Sequence, residues 1–531
     1  MHKLLRKKDY TSSMNRELQT VLHYHDRTKH SPQRYARSLG YMDWATQPDP
    51  FREYTETEKT ELPLALNNPT PPYSLLDEEL PAAPLLKESL SQFLQFSMGI
   101  AAWKSSSDSR WAVRCNASSG NLHPTEVYLV LPPMMQNQQS NVMHYGPKNH
   151  ELELLAAFES DFWESLPKES FLVGLSSIVW REVWKYGERA FRYTQLDAGH
   201  AWQSLVVSAK MLGWRVTSVE SLEDAQIAKL LGLDQKEKFC ENEIAEMLFI
   251  VSKETPTKEA NFTTLLKDIP MQYKGKANRL SPSMQEWDII PLIEAATAGK
   301  MTSLTQTQPL KVHREAIQES KTVVLKRRSV HVMDKERSFI TKKEFYTLLN
   351  AVASSLDGKF SSVHLVLFVH RVEEYKKGLY ILVRNKKELE NLKKKCNEKF
   401  LWQETEYNSL YLLEYADFRD ASKVISCSQD IASDGAFSLG MLCRYSQELL
   451  KYGAHRYKEL YWECGAIGQQ LYLEATSLGL SGTGIGCFLD DLMHKEILGL
   501  RNNTYQSLYH FTVGRGYVDS RIQTQPPYER E

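Results

Sequence analysis

KYGERAFRYTQLDAGHAWQSLVVSAKMLGW, from Lys185 to Trp214, aligns without a gap on KYGAHRYKELYWECGAIGQQLYLEATSLGL, from Lys451 to Leu480, at a constant separation of 451 − 185 = 266 residues. Lys, Tyr, Gly, Gly, Gln, Leu, Ala, Leu and Gly coincide. The echo extends outward from this block. LLGLD from Leu230 matches ILGLR from Ile497, and EMLFIVS near Val251 matches LYHFTVG near Val513. Upstream, HYGPKNHELELL near Tyr145 resembles LYILVRNKKELENL near Tyr380. A solenoid repeats every ~20–50 residues, so this longer spacing marks duplication of a whole unit of roughly two hundred residues.

Each unit reads alike. An apolar, β-branched strand, EVYLVL at 126–131 or VHLVLFV at 363–369, precedes a short hairpin-like strand and a helix. A long helix follows, Ala198 to Leu212 in one copy and Cys464 to Leu478 in the other, with apolar and small residues around most of its circumference. That pattern belongs to a helix buried on nearly all sides. A final strand closes the unit. The predicted fold class is α+β, with two related units forming an intrachain pseudo-dimer. Residues 1–252 make the first unit, with an extended arm at 45–84 where QPDPFREY, ELPLALNNPTPPY and LPAAP cluster proline. Residues 253–308 make a linker and 309–531 the second unit. The linker holds WDIIPLIEAA, too apolar for a free tether, so it is expected to be partly packed.

Composition sets bounds on function. The 531 residues are 42% hydrophobic and 25% charged, and 65 basic residues balance 66 acidic ones. No global field draws such a chain to nucleic acid or acidic lipid. No secretory signal or membrane-spanning run is legible, so the expected location is cytoplasmic. The seven cysteines are widely spread, without a Cys-x-x-Cys pair for zinc or a redox disulfide, and are expected to be buried or reduced thiols. No metal site is expected.

Three strings carry candidate chemistry. RCNASSGNLHPTEVYLVL, Arg114 to Leu131, places Ser118, Ser119, Gly120 and Asn121 in a small polar turn. Its hydroxyls and N–H groups suit the polar edge of a heterocycle or an anion, and an ordinary loop with a helix N-cap fits the string as well. LKRRSVHVMD places Arg327, Arg328 and Ser329 side by side, either a phosphate grip or a solvated surface cluster. SGTGIGCFLDD, Ser481 to Asp491, follows the second long helix. Its Gly-x-Gly-x-Gly spacing after a helix is not the Rossmann Gly-x-Gly-x-x-Gly after a strand. Gly484, Ile485 and Gly486 let backbone approach a flat ligand, or else form a helix C-cap and tight turn.

Together these strings resemble the nitroreductase superfamily, and within it the SagB-type azoline dehydrogenase-like branch. YHDRTKHSPQRYA, YMDWATQPDPFREY, SSGNLHPTE, GERAFRY and DAGHAWQSL carry the resemblance in the first half, and QSLYHFTVG and TGIGCFLDD in the second. The resemblance implies an FMN-dependent oxidoreductase with FMN at the interface of the two units. It assigns Arg327, Arg328, Ser329, Gly484, Ile485, Gly486 and Arg515 of the second half, and Ser118, Ser119 and Asn121 of the first, to cofactor binding. It also implies a proton-transfer role for a Lys-Tyr pair, present twice as Lys185 with Tyr186 and Lys451 with Tyr452. NAD(P)H is a possible electron donor, and the substrate is a small molecule or a peptide: azoline oxidation or nitro and quinone reduction. The reciprocal site departs from the family pattern. It offers Arg27, Thr28 and Lys29, a glycine-free WRVTSVESLEDA from Trp214, and SSLDGKFSSVH from Ser354 in place of SSGNLHPTE. One FMN per chain is therefore expected. The alternative is a flavin-free scaffold or interaction protein that keeps only the fold.

Overall fold

The computed structural model describes residues 15–107, 109–134, 138–304, 314, 316–353 and 361–528. SSLDGKF, 354–360, lies outside the described residues. The first unit contains strands β1 (Lys59–Glu61), β2 (Thr125–Leu131), β3 (Ser140–Gly146), β4 (Glu151–Phe158), β5 (Phe171–Ser177), β6 (Arg215–Ser218) and β7 (Ile244–Ser252), with helices α1 (Val179–Tyr186) and α2 (Ala190–Met211). The second contains β8 (Val363–Val369), β9 (Gly378–Leu382), β10 (Gln403–Glu404), β11 (Leu410–Tyr415), β12 (Phe437–Cys443), β13 (Ser481–Ile485) and β14 (Gln506–Gly514), with α3 (Tyr445–Tyr452) and α4 (Arg456–Ser477). The sheets run β1-β4-β3-β2-β5-β7-β6 and β10-β11-β9-β8-β12-β14-β13. All neighbouring strands are antiparallel. The two units thus share one topology, and the α+β pseudo-dimer stands.

Both faces of each sheet are covered, which is why the inner strands read as continuous apolar runs rather than alternating ones. In β2, Val127, Leu129 and Leu131 face the core shared with the long helices. Tyr128 and Val130 face a separate outer core with Ile227, Phe262 and Leu265. In β8, Leu365, Leu367 and Val369 face the shared core, and Val366 and Phe368 an outer one. The period of two survives inside the run.

The long helices start two turns earlier than the apolar pattern indicates, at Ala190 and Arg456. Polar residues such as Arg192 and Glu459 hid these turns, yet both are buried because they find charged partners. The repeated Lys-Tyr-Gly marks the corner before each helix. Gly187 adopts φ 55° and ψ −129°, and Gly453 φ 90° and ψ −175°, backbone that a side chain disfavours. At the crossing of α2 and α4 a Cβ on Gly199 would lie 2.2 Å from the Trp462 carbonyl oxygen, and one on Gly465 would lie 2.1 Å from that of Leu196. These glycines are equivalent in the repeat, so the pseudo-twofold axis passes between them.

Two readings are corrected. ELELL falls in β4, whereas its supposed echo ELENL lies in the helix Leu389–Lys395; the true counterpart of β4 is β11. The glycine-rich segment after α4 is not a helix cap but the edge strand β13, paired with β14. The chain ends also cross between units. Strand Gln523–Gln525 pairs with Ile100–Ser106 of the first unit, and Tyr528 donates from its hydroxyl to the Pro147 carbonyl at 2.8 Å. In the opposite direction, His25 Nε2 lies 3.1 Å from Gln506 Oε1 of the second unit. The segment 253–308 is packed in part, through helix Ile289–Thr297 and its buried Ile293. No helix among the described residues is long and apolar enough to cross a membrane.

Candidate functional site

The polar turn of the first unit and the basic and glycine-rich segments of the second meet at the interface. Ser118 donates from its hydroxyl to Asp197 Oδ2 at 2.6 Å, and Ser119 donates to Asp197 Oδ1 from its N–H and its hydroxyl, both at 2.9 Å. Asp197 projects from α2. The second unit holds the turn from the other side, because Gln469 of α4 accepts the Ala117 N–H at 3.0 Å and donates to the Cys115 carbonyl at 3.2 Å. Asn121 is engaged locally, donating to the Ala112 carbonyl at 2.8 Å and lying 3.1 Å from His123 Nε2.

Arg327 is buried and crosses the interface. Its guanidinium donates to the carbonyls of Cys115 and Arg114, each at 2.9 Å, and lies 5.3 Å from the Tyr472 ring centroid. Arg328 donates to the Leu325 and Arg327 carbonyls at 2.8 and 2.6 Å. Burial and then the Arg327 charge push the Arg328 pKa down to about 10. Lys104 of the first unit is lowered too, by burial and then by Arg328. Among the described residues no carboxylate lies within ion-pair distance of Arg327, Arg328 or Lys104. Arg328 thus sits between two like charges, Arg327 and Lys104, with no acidic partner among the described residues. Ser329 Oγ stands 2.7 Å from the Tyr472 hydroxyl, which accepts the Gly484 N–H at 2.7 Å. A Cβ on Gly484 would fall 1.8 Å from the Tyr509 hydroxyl, and one on Gly486 2.5 Å from the Tyr193 ring. Ile485, the last residue of this strand, is buried.

Lys185 and Tyr186 reach the same place. A Cβ on Gly120 would lie 2.7 Å from the Tyr186 hydroxyl and 3.1 Å from Lys185 Nζ. The Tyr186 and Tyr193 rings lie 4.4 Å apart, and Tyr193 donates to the Gly486 carbonyl at 3.1 Å. Turn, Lys-Tyr pair and glycine strand are therefore contiguous. Lys451 and Tyr452 are not part of this assembly. Lys451 is exposed and donates to the Tyr452 hydroxyl at 2.7 Å. Arg515 is also turned elsewhere, its guanidinium 3.5 Å from Glu344.

Several groups at the site escaped sequence reading: Lys104, Glu182, Asp197, His200, Tyr472 and Tyr509. Asp197 and His200 left one signal, as titratable residues inside the segment that repeats between the units. Burial raises Asp197 to about 7 against the opposing serine-turn hydrogen bonds. Glu182 is raised as well, by burial and then Asp197, and its two buried carboxyl oxygens have no partner among the described residues. His200 is pushed down to about 3 by burial and then Arg327, so its imidazole is neutral; Nε2 lies 3.3 Å from the Tyr509 hydroxyl. Two carboxyls raised by burial beside a Lys-Tyr pair are a perturbed cluster of the kind that chemistry uses.

Asp197 gives a pH test. Its folded pKa of about 7 exceeds the unfolded value of ~3.9. Its contribution to stability is therefore full below about pH 4 and is lost as pH rises through about 7. In Asp197→Asn this loss should vanish, and stability above about pH 8 should exceed the parent's by at most roughly 4 kcal/mol. Urea midpoints across that window check the outcome; parallel pH profiles for both proteins would contradict it.

The reciprocal basic segment is differently placed. Arg27 pairs with Glu188, while Lys29 lies 3.1 Å from Asp26 and 3.0 Å from Asp491. These charges are already neutralised by carboxylates.

The description "Nitroreductase family" belongs to a family model that matches residues 82–241 and 324–515, one segment in each unit and together more than half of the chain. The chain belongs to the nitroreductase family. It is 29% identical over 131 residues to the Microcin B17-processing protein McbC of Escherichia coli, covering 22% of this chain and 48% of McbC. The chain thus spans about half the length of that relative. It is 26% identical over 165 residues to MJ1384, a candidate nitroreductase of Methanocaldococcus jannaschii, covering 29% of this chain and 78% of the relative. A solved candidate nitroreductase from Anabaena variabilis superposes with a TM-score of 0.68 at 21% identity, over 94% of this chain and 99% of that one. This likeness extends the shared fold to both units together.

Proposed function

We propose that the chain is an FMN-dependent oxidoreductase holding one FMN between its two units. The observation that carries this reading is the cluster of buried Arg327 with half-buried Arg328 and Lys104, a surplus of positive charge that no carboxylate among the described residues pairs with. In this reading Arg328 and Lys104 hold the phosphate, and Arg327 fixes the turn while adding charge. Ser329 and the Gly484–Gly486 backbone line the ribityl and ring edge, and Ser118, Ser119 and Asn121 close the other side. FMN, when bound, passes two electrons to or from an organic substrate. Lys185 Nζ and the Tyr186 hydroxyl lie beside the turn, and Asp197 can take or give a proton near neutral pH.

The name of McbC, a microcin-processing protein, favours a peptide-derived substrate of the azoline kind. The nitroreductase name of MJ1384 favours a nitro or quinone acceptor with NAD(P)H as donor. Either runs in the cytoplasm with the same residues. The test is chemical. Purified full-length protein should be yellow, release FMN on denaturation, and rebind added FMN after removal. Colourless protein that cannot be reconstituted with FMN overturns the reading in favour of a flavin-free scaffold.

A further inference from the structure

Cys427 and Cys487 are 60 residues apart in sequence, and their sulfurs are 2.8 Å apart. All seven cysteines are free thiols, but these two are half-buried and within solvent reach, unlike Cys115, Cys396, Cys443 and Cys464. We propose that Cys427 and Cys487 are a redox pair that closes reversibly into an intrachain disulfide by exchange with a small disulfide of the glutathione class.

Three features converge on the pair. A disulfide needs sulfurs about 2.05 Å apart, so closing requires a movement of under about 1 Å. The backbone of Cys427 and Ser428 takes φ 54° and φ 61°, two consecutive left-handed non-glycine residues. Such a conformation costs energy unless the surroundings impose it, and it occurs where the Cys427 sulfur stands against Cys487. Gln429 then fastens the two segments, donating to the Ser426 carbonyl at 2.8 Å and to the Cys487 carbonyl at 3.1 Å.

The surroundings also separate the roles of the two sulfurs. Contact with Cys427, then His30 and Arg189, lowers Cys487 to about 5 against the opposing effect of burial. Contact with Cys487 and burial raise Cys427, with Tyr35 and Arg189 acting in the other direction. His30 accepts the Ala36 N–H on Nδ1 at 2.9 Å, which leaves Nε2 for Cys487. Asp490, which faces His30, is tied to Arg189 at 2.8 Å. Cys487 is thus the attacking thiolate and Cys427 the resolving thiol.

The exchange balances. Cys487 Sγ attacks one sulfur of RSSR, breaking its S–S bond and expelling RS⁻, which takes a proton from solvent. Cys427 Sγ then attacks Cys487 Sγ in the mixed disulfide, expelling a second RS⁻ that receives the Cys427 proton. Two protein sulfurs are oxidised by two electrons in all, and one RSSR becomes two RSH. Bond formation is independent of FMN. Its consequence reaches the glycine strand, because Cys487 directly follows Gly486, whose carbonyl accepts from the Tyr193 hydroxyl.

The native full-length chain, equilibrated in mixtures of oxidised and reduced glutathione, tests the proposal by intact mass and by peptide mapping without reduction. The expected result is loss of two hydrogens and a single cross-linked peptide pair containing Cys427 and Cys487, reversed on reduction. In parallel, iodoacetamide labelling of Cys487 should persist to about pH 6, and Cys427→Ser should shift its half-labelling point toward the ordinary thiol value of ~8.5. Stable glutathione adducts without a cross-link, or a cross-link seen only after denaturation, would overturn the proposal. So would an ordinary labelling profile for Cys487 in the parent protein.

Discussion

Gly199→Ala and Gly465→Ala should each destabilise the protein by about 3 kcal/mol or more, lowering its melting temperature and loosening the two units together. The sign is the informative part. In an exposed helix interior, replacing glycine by alanine gains ~1 kcal/mol, because alanine loses less backbone entropy on folding. Here the added methyl on Gly199 meets the Trp462 carbonyl oxygen at 2.2 Å and carbon at 2.8 Å, and the methyl on Gly465 meets the Leu196 carbonyl at 2.1 Å. The obstacles are backbone atoms of 22-residue helices buried along almost their whole length, so no side chain can swing aside. Overpacking a well-filled core costs ~1–3 kcal/mol, and a backbone-to-backbone clash lies at or above the top of that range. Thermal melts of both variants, with hydrogen exchange on the α2 and α4 amides, check this. A variant as stable as the parent would place the helix crossing elsewhere.

These glycines also show what a single sequence reveals. Gly199 and Gly465 coincide in the repeat, and their shared position is the record of the crossing. The strands were equally legible, since β2 and β8 carry long β-branched runs that both sheet faces bury. The site was harder to read, because its parts come from segments far apart in the chain. Arg327 and Cys115 are 212 residues apart and meet through one hydrogen bond. No local period records such a meeting. Lys104 lies on a strand and looks like any surface lysine until Arg328 is placed beside it. Tyr472 and Tyr509 look like core aromatics, and they do pack as such, while their hydroxyls reach the glycine strand. The Cys-x-x-Cys criterion missed Cys427 and Cys487 for the same reason, since a pair joined across a fold leaves no spacing to find. The ELELL echo erred in the opposite direction. Similar residue order there reflects composition, and pairing in the sheet decides which segment is a strand.

Arg328→Ala combined with Lys104→Ala should weaken FMN binding by roughly 10²–10⁴-fold while leaving the fold intact. Each charge-assisted hydrogen bond to a phosphate contributes ~1.5–3 kcal/mol, so removing two loses ~3–6 kcal/mol of affinity. Neither side chain supports the core in the way Arg327 does. Arg328 donates only to carbonyls within its own segment, and Lys104 donates to Thr524 at 2.6 Å. Their removal also relieves mutual repulsion, so the melting temperature of the flavin-free protein should hold or rise. Arg327→Ala is a poorer probe, because it strips donors from the Arg114 and Cys115 carbonyls and packing from the Tyr472 ring. The control is Arg27→Ala with Lys29→Ala at the reciprocal position. Those cations already face Glu188, Asp26 and Asp491, so FMN affinity should not move. Titration of the apo-protein with FMN, followed by fluorescence quenching, gives affinity and stoichiometry together, with one FMN per chain expected. Binding that survives the first pair of substitutions and fails with the second would put the flavin at the other interface site, and two equivalent flavins would mean that both sites are retained.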